Sequence, residues 1–153
     1  MDIEVIQHDS GELLPILLDD EGMPITLPNE FILSKRHCSS NTLIRNLREL
    51  KLLYLWMNIH RVDLDERLRK KQPFTEAEIV GSLVEFLRRN HEKKHKIIKI
   101  AVRPDTFNQR LITIKQFLRW HIENYIAALP FTSDSYQYYN SYQARLISLG
   151  NPP

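Results

Sequence analysis

Along the chain the pattern of apolar and polar positions changes character near residue 39. Before that point apolar residues come in short runs, Ile3 to Ile6, Leu13 to Leu18 and Ile25 to Leu27, with Asp19-Asp20-Glu21-Gly22 supplying turn chemistry. Extended segments and a small hairpin are the expectation. Pro15, Pro24 and Pro28 each lack a ladder donor, so the strands should be short or at an edge. This stretch reads as an arm or subunit contact more than a core.

From Ser39-Ser40-Asn41-Thr42 onward the spacing is helical. Any of the first three side chains can cap a helix running to about Asn58. On a 100° wheel Leu43, Leu47, Leu50, Tyr54 and Met57 share a face with Leu53 beside them, while Arg45, Arg48 and Leu52 point away. Asp63 to Lys70 is a short amphipathic piece with Leu64 and Leu68 four apart, stopped by Gln72-Pro73. Thr75 to Glu78, TEAE, has capping-box spacing and should open a second main helix whose stripe is Ile79, Leu83, Phe86 and Leu87, ending near Asn90. His91 to Arg103 is basic and breaks the pattern, and is expected to be a connection. The last main helix should start at Asp105 or Thr106 and run to about Ala128, where Leu129-Pro130 stops it. Phe107, Leu111, Ile114, Leu118, His121 and Tyr125 form its core face; Asn108, Gln109, Lys115, Gln116 and Arg119 face away. Ser133 or Asp134 can cap a final helix through Ile147, terminated at Gly150 before Pro152-Pro153. The expected fold class is mainly α, a four- to five-helix bundle preceded by a short N-terminal β-hairpin arm. Its divisions are an acidic arm at 1–34, a helical domain at 35–130 and a C-terminal helix and linker at 131–153.

One pattern occurs twice. SNTLIRNLRELKLLYLW and PDTFNQRLITIKQFLRW align so that Thr42, Leu47, Leu50, Lys51, Leu53, Tyr54 and Trp56 stand opposite Thr106, Leu111, Ile114, Lys115, Phe117, Leu118 and Trp120. Amphipathic helices share apolar spacing by necessity. The matching Thr, Lys and Trp are more than a buried stripe demands.

Composition alters this picture through the placement of charge. With 153 residues and 42% hydrophobic content, the chain has enough for one core. Residues 1–34 hold eight acidic residues and no Lys or Arg, whereas residues 35–123 hold 20 of the 21 basic residues against 10 acidic ones. Such asymmetry points to a polyanion-binding domain with a separate acidic arm; the bland alternative is a solvated helical surface. No run is long and apolar enough to span a bilayer, no signal peptide is evident, and the lone Cys38 fits a reducing compartment, so a cytoplasmic protein with no membrane partner is expected.

Catalytic constellations are not evident. The four glycines form no phosphate-cradling loop. His91 and His95 have metal-compatible spacing but no third ligand nearby, and His121 reads as an interior, hydrogen-bonded histidine. Glu76 and Glu78 belong to helix capping. No cofactor or metal is expected. Nucleic-acid binding has support at residue level, because a helix can offer N-terminal amides and first-turn side chains to phosphates and base edges. Asn41, Thr42, Arg45, Arg48 and Lys51 would do so in the first helix. Thr106, Asn108, Gln109, Lys115 and Arg119 would do so in the last. Asn and Gln can pair with adenine and Arg with guanine in the major groove. A second reading is a helical protein-interaction module with a basic surface for an acidic partner, its apolar patch formed by Leu52, Leu55 and Ile112.

In this order, SSNTLIRNLRELKLLYLW and RPDTFNQRLITIKQFLRW resemble the N-terminal core-binding domain of tyrosine recombinases, the phage integrase family. Ser39, Asn41, Thr42, Leu43, Leu50, Leu53 and Trp56 meet the family's first motif; Thr106, Asn108, Arg110, Leu111, Phe117 and Trp120 meet the second. The resemblance covers residues 23–128, with Gly22 to Pro24 and Pro28 to Ile32 like the lead-in of some transposon-type integrases. It implies a SAM-like orthogonal bundle that places two helices in the major groove of a recombination half-site. Implied partners are double-stranded DNA, a C-terminal catalytic domain of the same parent chain and neighbouring recombinase protomers. The family's catalytic His-x-x-Arg is missing here, so Tyr136, Tyr138, Tyr139 and Tyr142 are poor nucleophile candidates. The expectation is a chain that cleaves nothing by itself, excised from or truncated before a catalytic half.

Overall fold

Val5 stands opposite Pro15 in an antiparallel hairpin of β1 (Asp2–Gln7) and β2 (Leu13–Leu18), which opens a computed structural model describing residues 1–91, 101–130 and 133–148. Among those residues the protein is mainly helical behind this hairpin. Two compact units, residues 1–54 and 55–153, divide the chain inside its first long helix.

In the first unit, the hairpin turn lies at His8 to Glu12, with the His8 N–H donating to the Glu12 carbonyl at 2.8 Å and Gly11 in the left-handed region at φ 88°. Asp19 to Gly22 makes a separate turn. Its Asp19 Oδ1 accepts from the Glu21 and Met23 amides, both at 2.9 Å, and brings Pro24 into an isolated bridge with Leu18. Where a third extended run was expected, residues 26 onward form α1 (Thr26–Ser34). Pro28 is compatible with this because it falls in the first helical turn, where its missing N–H has no partner to lose. Asn29 on α1 then substitutes for a neighbouring strand: it accepts from the Leu17 N–H at 2.8 Å and donates to the Leu17 carbonyl at 3.0 Å. Leu17, Phe31 and Ile32 are almost fully buried. The arm therefore supplies core, contrary to the sequence expectation.

α2 (Ser40–His60) is capped by Ser39, whose hydroxyl accepts from the Thr42 amide at 3.2 Å. Leu43, Leu47, Leu50 and Leu53 are buried as the wheel requires, and so is Leu52, which the wheel placed outside. The buried face is simply wider than one stripe.

The second unit begins with the last turn of α2, closed by Arg61 at φ 54° and a Val62 N–H to Met57 carbonyl bond of 2.9 Å. α3 (Leu64–Arg69) is capped by Asp63 and closed the same way by Lys71 at φ 51°. The Thr75–Glu78 capping box forms. The helix it opens is not uniform: α4 (Glu76–Glu78) passes through a π-helical segment, Ile79–Leu83, into α5 (Val84–Arg88). One widened turn rotates the following residues by about 100°. Val84 accordingly joins Ile79, Leu83 and Leu87 in the core, and Phe86 is only half-buried. Ser82, in the widened turn, accepts the Trp56 indole N–H at 2.9 Å.

α6 (Pro104–Ala127) starts on proline, favourable at the first helical position. It buries Ile114, Phe117, Leu118, His121, Ile122 and Ile126, and also Arg110 and Thr113. Phe107, Leu111 and Tyr125, expected in the core, are half-buried. α7 (Asp134–Ser148) is capped by Ser133, whose hydroxyl accepts from the Tyr136 amide at 3.1 Å, and it packs on α6. Leu68, Ile122, Ile126, Tyr139 and Tyr142 make the core there. Most of the 91–103 connection, His95, Gly150 and Pro152-Pro153 lie outside the described residues.

Candidate nucleic-acid interface

In the first unit, Asn41, Arg45 and Arg48 recur at helical spacing and all are exposed on α2. Arg45 lies 3.7 Å from the carboxylate of Glu49, a loose i,i+4 pair. Thr42 is half-buried, its hydroxyl accepting from Ser39 at 2.9 Å, so it belongs to the cap. Lys51 is half-buried, with its charge felt at Asp20.

In the second unit, Thr106, Asn108, Gln116 and Arg119 are exposed on α6. Asn108, Gln116 and Arg119 lie along one face, interrupted by the exposed Ile112. Arg119 pairs with Glu123 at 3.0 Å, and that carboxylate also accepts from Gln143 at 3.0 Å. Two residues expected to face away do so only in part. Gln109 is half-buried and donates to Thr113 at 3.4 Å; Lys115 is half-buried, and burial pushes its ammonium pKa down from 10.5. Of the five residues expected to face away, Asn108, Gln116 and Arg119 are exposed, and Gln109 and Lys115 are not fully so.

Sequence reading passed over three arginines that the fold gathers around the first turn of α6. Arg103 is its N-cap, and makes no side-chain capping bond. Arg89 bridges to Ala101, and the Val102 N–H donates to the Arg88 carbonyl at 2.9 Å, so the end of α5 lies beside the entry to α6. The Arg88 guanidinium sits over the Phe107 ring, 4.3 Å from its centre. Arg88, Arg89 and Arg103 are all exposed. Their only sequence signal was that all three belong to the basic middle of the chain; nothing in the spacing between 88 and 103 tells that they meet.

The tyrosines of α7 are occupied structurally. Tyr138 donates to the Lys71 carbonyl at 3.2 Å, Tyr139 donates to the Leu68 carbonyl, and Tyr142 accepts from the Phe74 N–H at 3.1 Å. Burial, followed by a bond with Tyr125, pushes the Tyr139 phenol up to about 12. No group of three or more His, Cys, Asp or Glu side chains suited to a metal occurs among the described residues, and none of their helices is long and apolar enough to cross a membrane. In comparisons with known proteins, no family model, curated protein or solved structure matches this chain.

Proposed function

We propose that this chain binds duplex DNA, and that it does so as the core-binding part of a tyrosine recombinase whose chemistry resides in another domain. The observation that carries the reading is the arrangement at α6: exposed amide and guanidinium groups of Asn108, Gln116 and Arg119 on one face, with Arg88, Arg89 and Arg103 about its first turn. Arginines at a helix entry suit phosphates on either side of a groove, and the amides along the helix suit base edges. Asn41, Arg45 and Arg48 on α2 form a second set of the same chemistry. The recombinase assignment rests on the two motifs quoted above; the DNA reading rests on the side chains themselves.

The interaction-module reading drew on Leu52, Leu55 and Ile112. Leu52 is 9% exposed and Leu55 half-buried, which leaves Ile112 alone at 48%. The DNA reading is preferred.

Salt titration of binding to mixed-sequence duplex tests it. If about five phosphates are neutralised, log K should fall against log salt with a slope of about −4.5. A slope near zero, or no binding at low salt, refutes the reading. The recombinase parentage has a separate test in the reading frame after Pro153, where an Arg, a His-x-x-Arg and a Tyr should follow.

A further inference from the structure

The two edges of the hairpin are treated differently. Pro15 has no N–H, so Val5 and Pro15 form a non-hydrogen-bonded pair, and strand alternation then turns the N–H and C=O groups of Asp2, Glu4 and Ile6 toward β2. Those of Ile3, Val5 and Gln7 turn outward. Leu17, in the same class as Pro15, follows this rule by sending its N–H to Asn29, and its carbonyl accepts from the Ile25 N–H at 3.1 Å. With the Leu18–Pro24 bridge, the outer edge of β2 is covered at its Leu17–Leu18 end. On β1 no described residue takes the outward backbone groups of Ile3, Val5 or Gln7.

Both faces at that open edge carry apolar surface. Val5 and Leu13 are 49% and 43% exposed at the rim of the face that buries Pro15 and Leu17. Ile6 is 50% exposed on the opposite face, beside half-buried Leu14, Ile16 and Leu18. Two strands alone are marginal in water, and a third would complete the ladder. Charge selects the occupant. Asp2 and Glu4 are exposed on the second face, within a segment of eight acidic residues and no Lys or Arg. A second copy of β1 would bring the same carboxylates into one sheet, which is unfavourable.

We infer that β1 is a strand-addition site for an extended peptide segment of another protein, one alternating apolar residues with Lys or Arg. The backbone of Ile3, Val5 and Gln7 supplies the ladder, and the basic side chains lie on the face of Asp2 and Glu4. This site is independent of the DNA reading.

The test uses the full chain and two end-blocked hexapeptides, Lys-Val-Lys-Val-Lys-Val and Glu-Val-Glu-Val-Glu-Val, followed by amide shifts and hydrogen exchange. The lysine peptide should bind and slow exchange at Ile3, Val5 and Gln7 by about tenfold or more at saturation, while the glutamate peptide should bind at least about tenfold more weakly. Val5→Pro removes one outward donor without removing a bond to β2, and should weaken the lysine peptide about tenfold with protection of the Leu17 amide retained. The charge-reversed Asp2→Lys, Glu4→Lys chain, altered only at exposed positions, should prefer the glutamate peptide. Binding that protects other amides instead, a preference indifferent to charge reversal, or self-association through β1 would overturn the inference.

Discussion

Arg110, buried on α6, donates through Nη1 to the Leu87 carbonyl oxygen at 2.7 Å, so a side chain of one helix closes the C-terminal turn of another. The same nitrogen reaches the Arg89 carbonyl at 2.9 Å. These oxygens lie at the negative end of α5, where a cation is favoured. The contact explains how a charged residue occupies a core position, and it fixes Arg88 and Arg89 beside the entry of α6.

Replacing Arg110 by Met should therefore cost about 2–4 kcal/mol, because two carbonyls lose their donor in a buried setting. Arg110→Lys should lose less, keeping the charge but not the fork. Urea denaturation of the three chains gives the ranking; equal midpoints for wild type and Met would remove the capping role.

His121 supplies a pH dependence. Its ring is buried, and Nε2 approaches Asp65 Oδ1 at 3.4 Å without the alignment of a hydrogen bond. Arg67 and Tyr142 line the same small cavity among Leu64, Leu68, Phe74, Leu118 and Ile122. Burial lowers the imidazole pKa below 6.5, and the attraction of Asp65 opposes it only in part. The unfolded chain thus takes up the proton first as pH falls. Stability from this residue is complete above the unfolded pKa, declines as pH drops through it, and levels off once the folded ring protonates. Asp65→Asn removes the opposing attraction, so the imidazole should titrate still lower and the decline should extend further down. Ring-proton NMR between about pH 5 and 8 reads this directly; a His121 pKa above 6.5 contradicts it.

Two helices end on basic residues where glycine is usual. Arg61 at φ 54° and Lys71 at φ 51° close α2 and α3 in the left-handed region. Arg61→Gly should stabilise the protein by about 0.5 kcal/mol, the relief of strain exceeding the added entropy of the unfolded chain. Lys71→Gly should gain less, since the Lys71 ammonium lies 5.7 Å from the centre of the Tyr138 ring and that contact is lost. Thermal unfolding of the pair separates them, and a larger gain at position 71 would count against the Tyr138 contact.

Local chemistry made much of this fold legible. Ser39, Thr75 and Ser133 accept the amides that their spacing announced, because a cap is a matter of three or four neighbouring residues. The hairpin was visible in its runs, although its turn lies at His8 to Glu12 rather than at Asp19 to Gly22. Elements that depend on distant partners were not legible. Pro28 looked like a strand breaker, yet it sits in a helix whose Asn29 completes the edge of β2. The π-helical turn has no periodic signature. A wheel also sorts residues by polarity, so it left Arg110 off the core face and sent Lys115 to solvent, although carbonyls hold the one inside and neighbouring bulk covers part of the other.

The partial burial of Lys115 bears on DNA binding. Lys51 and Lys115 match in the repeated pattern, and both are half-buried. A cationic side chain releases counterions condensed on the DNA only if its charge can reach a phosphate. Lys115 is desolvated by its own fold and engaged within it. Arg103, exposed and without a capping bond, has neither restriction. Arg103→Ala should flatten the salt slope by about one unit, whereas Lys115→Ala should change it by about half a unit or less, with any loss of affinity tracking stability instead. Asn108→Ala and Gln116→Ala should leave the slope unchanged and reduce the preference among duplex sequences by about 1–3 kcal/mol at the position each one reads. Equal slopes for wild type and Arg103→Ala would remove the arginines around α6 from the interface, and with them the assignment of that helix as the one that reads the groove.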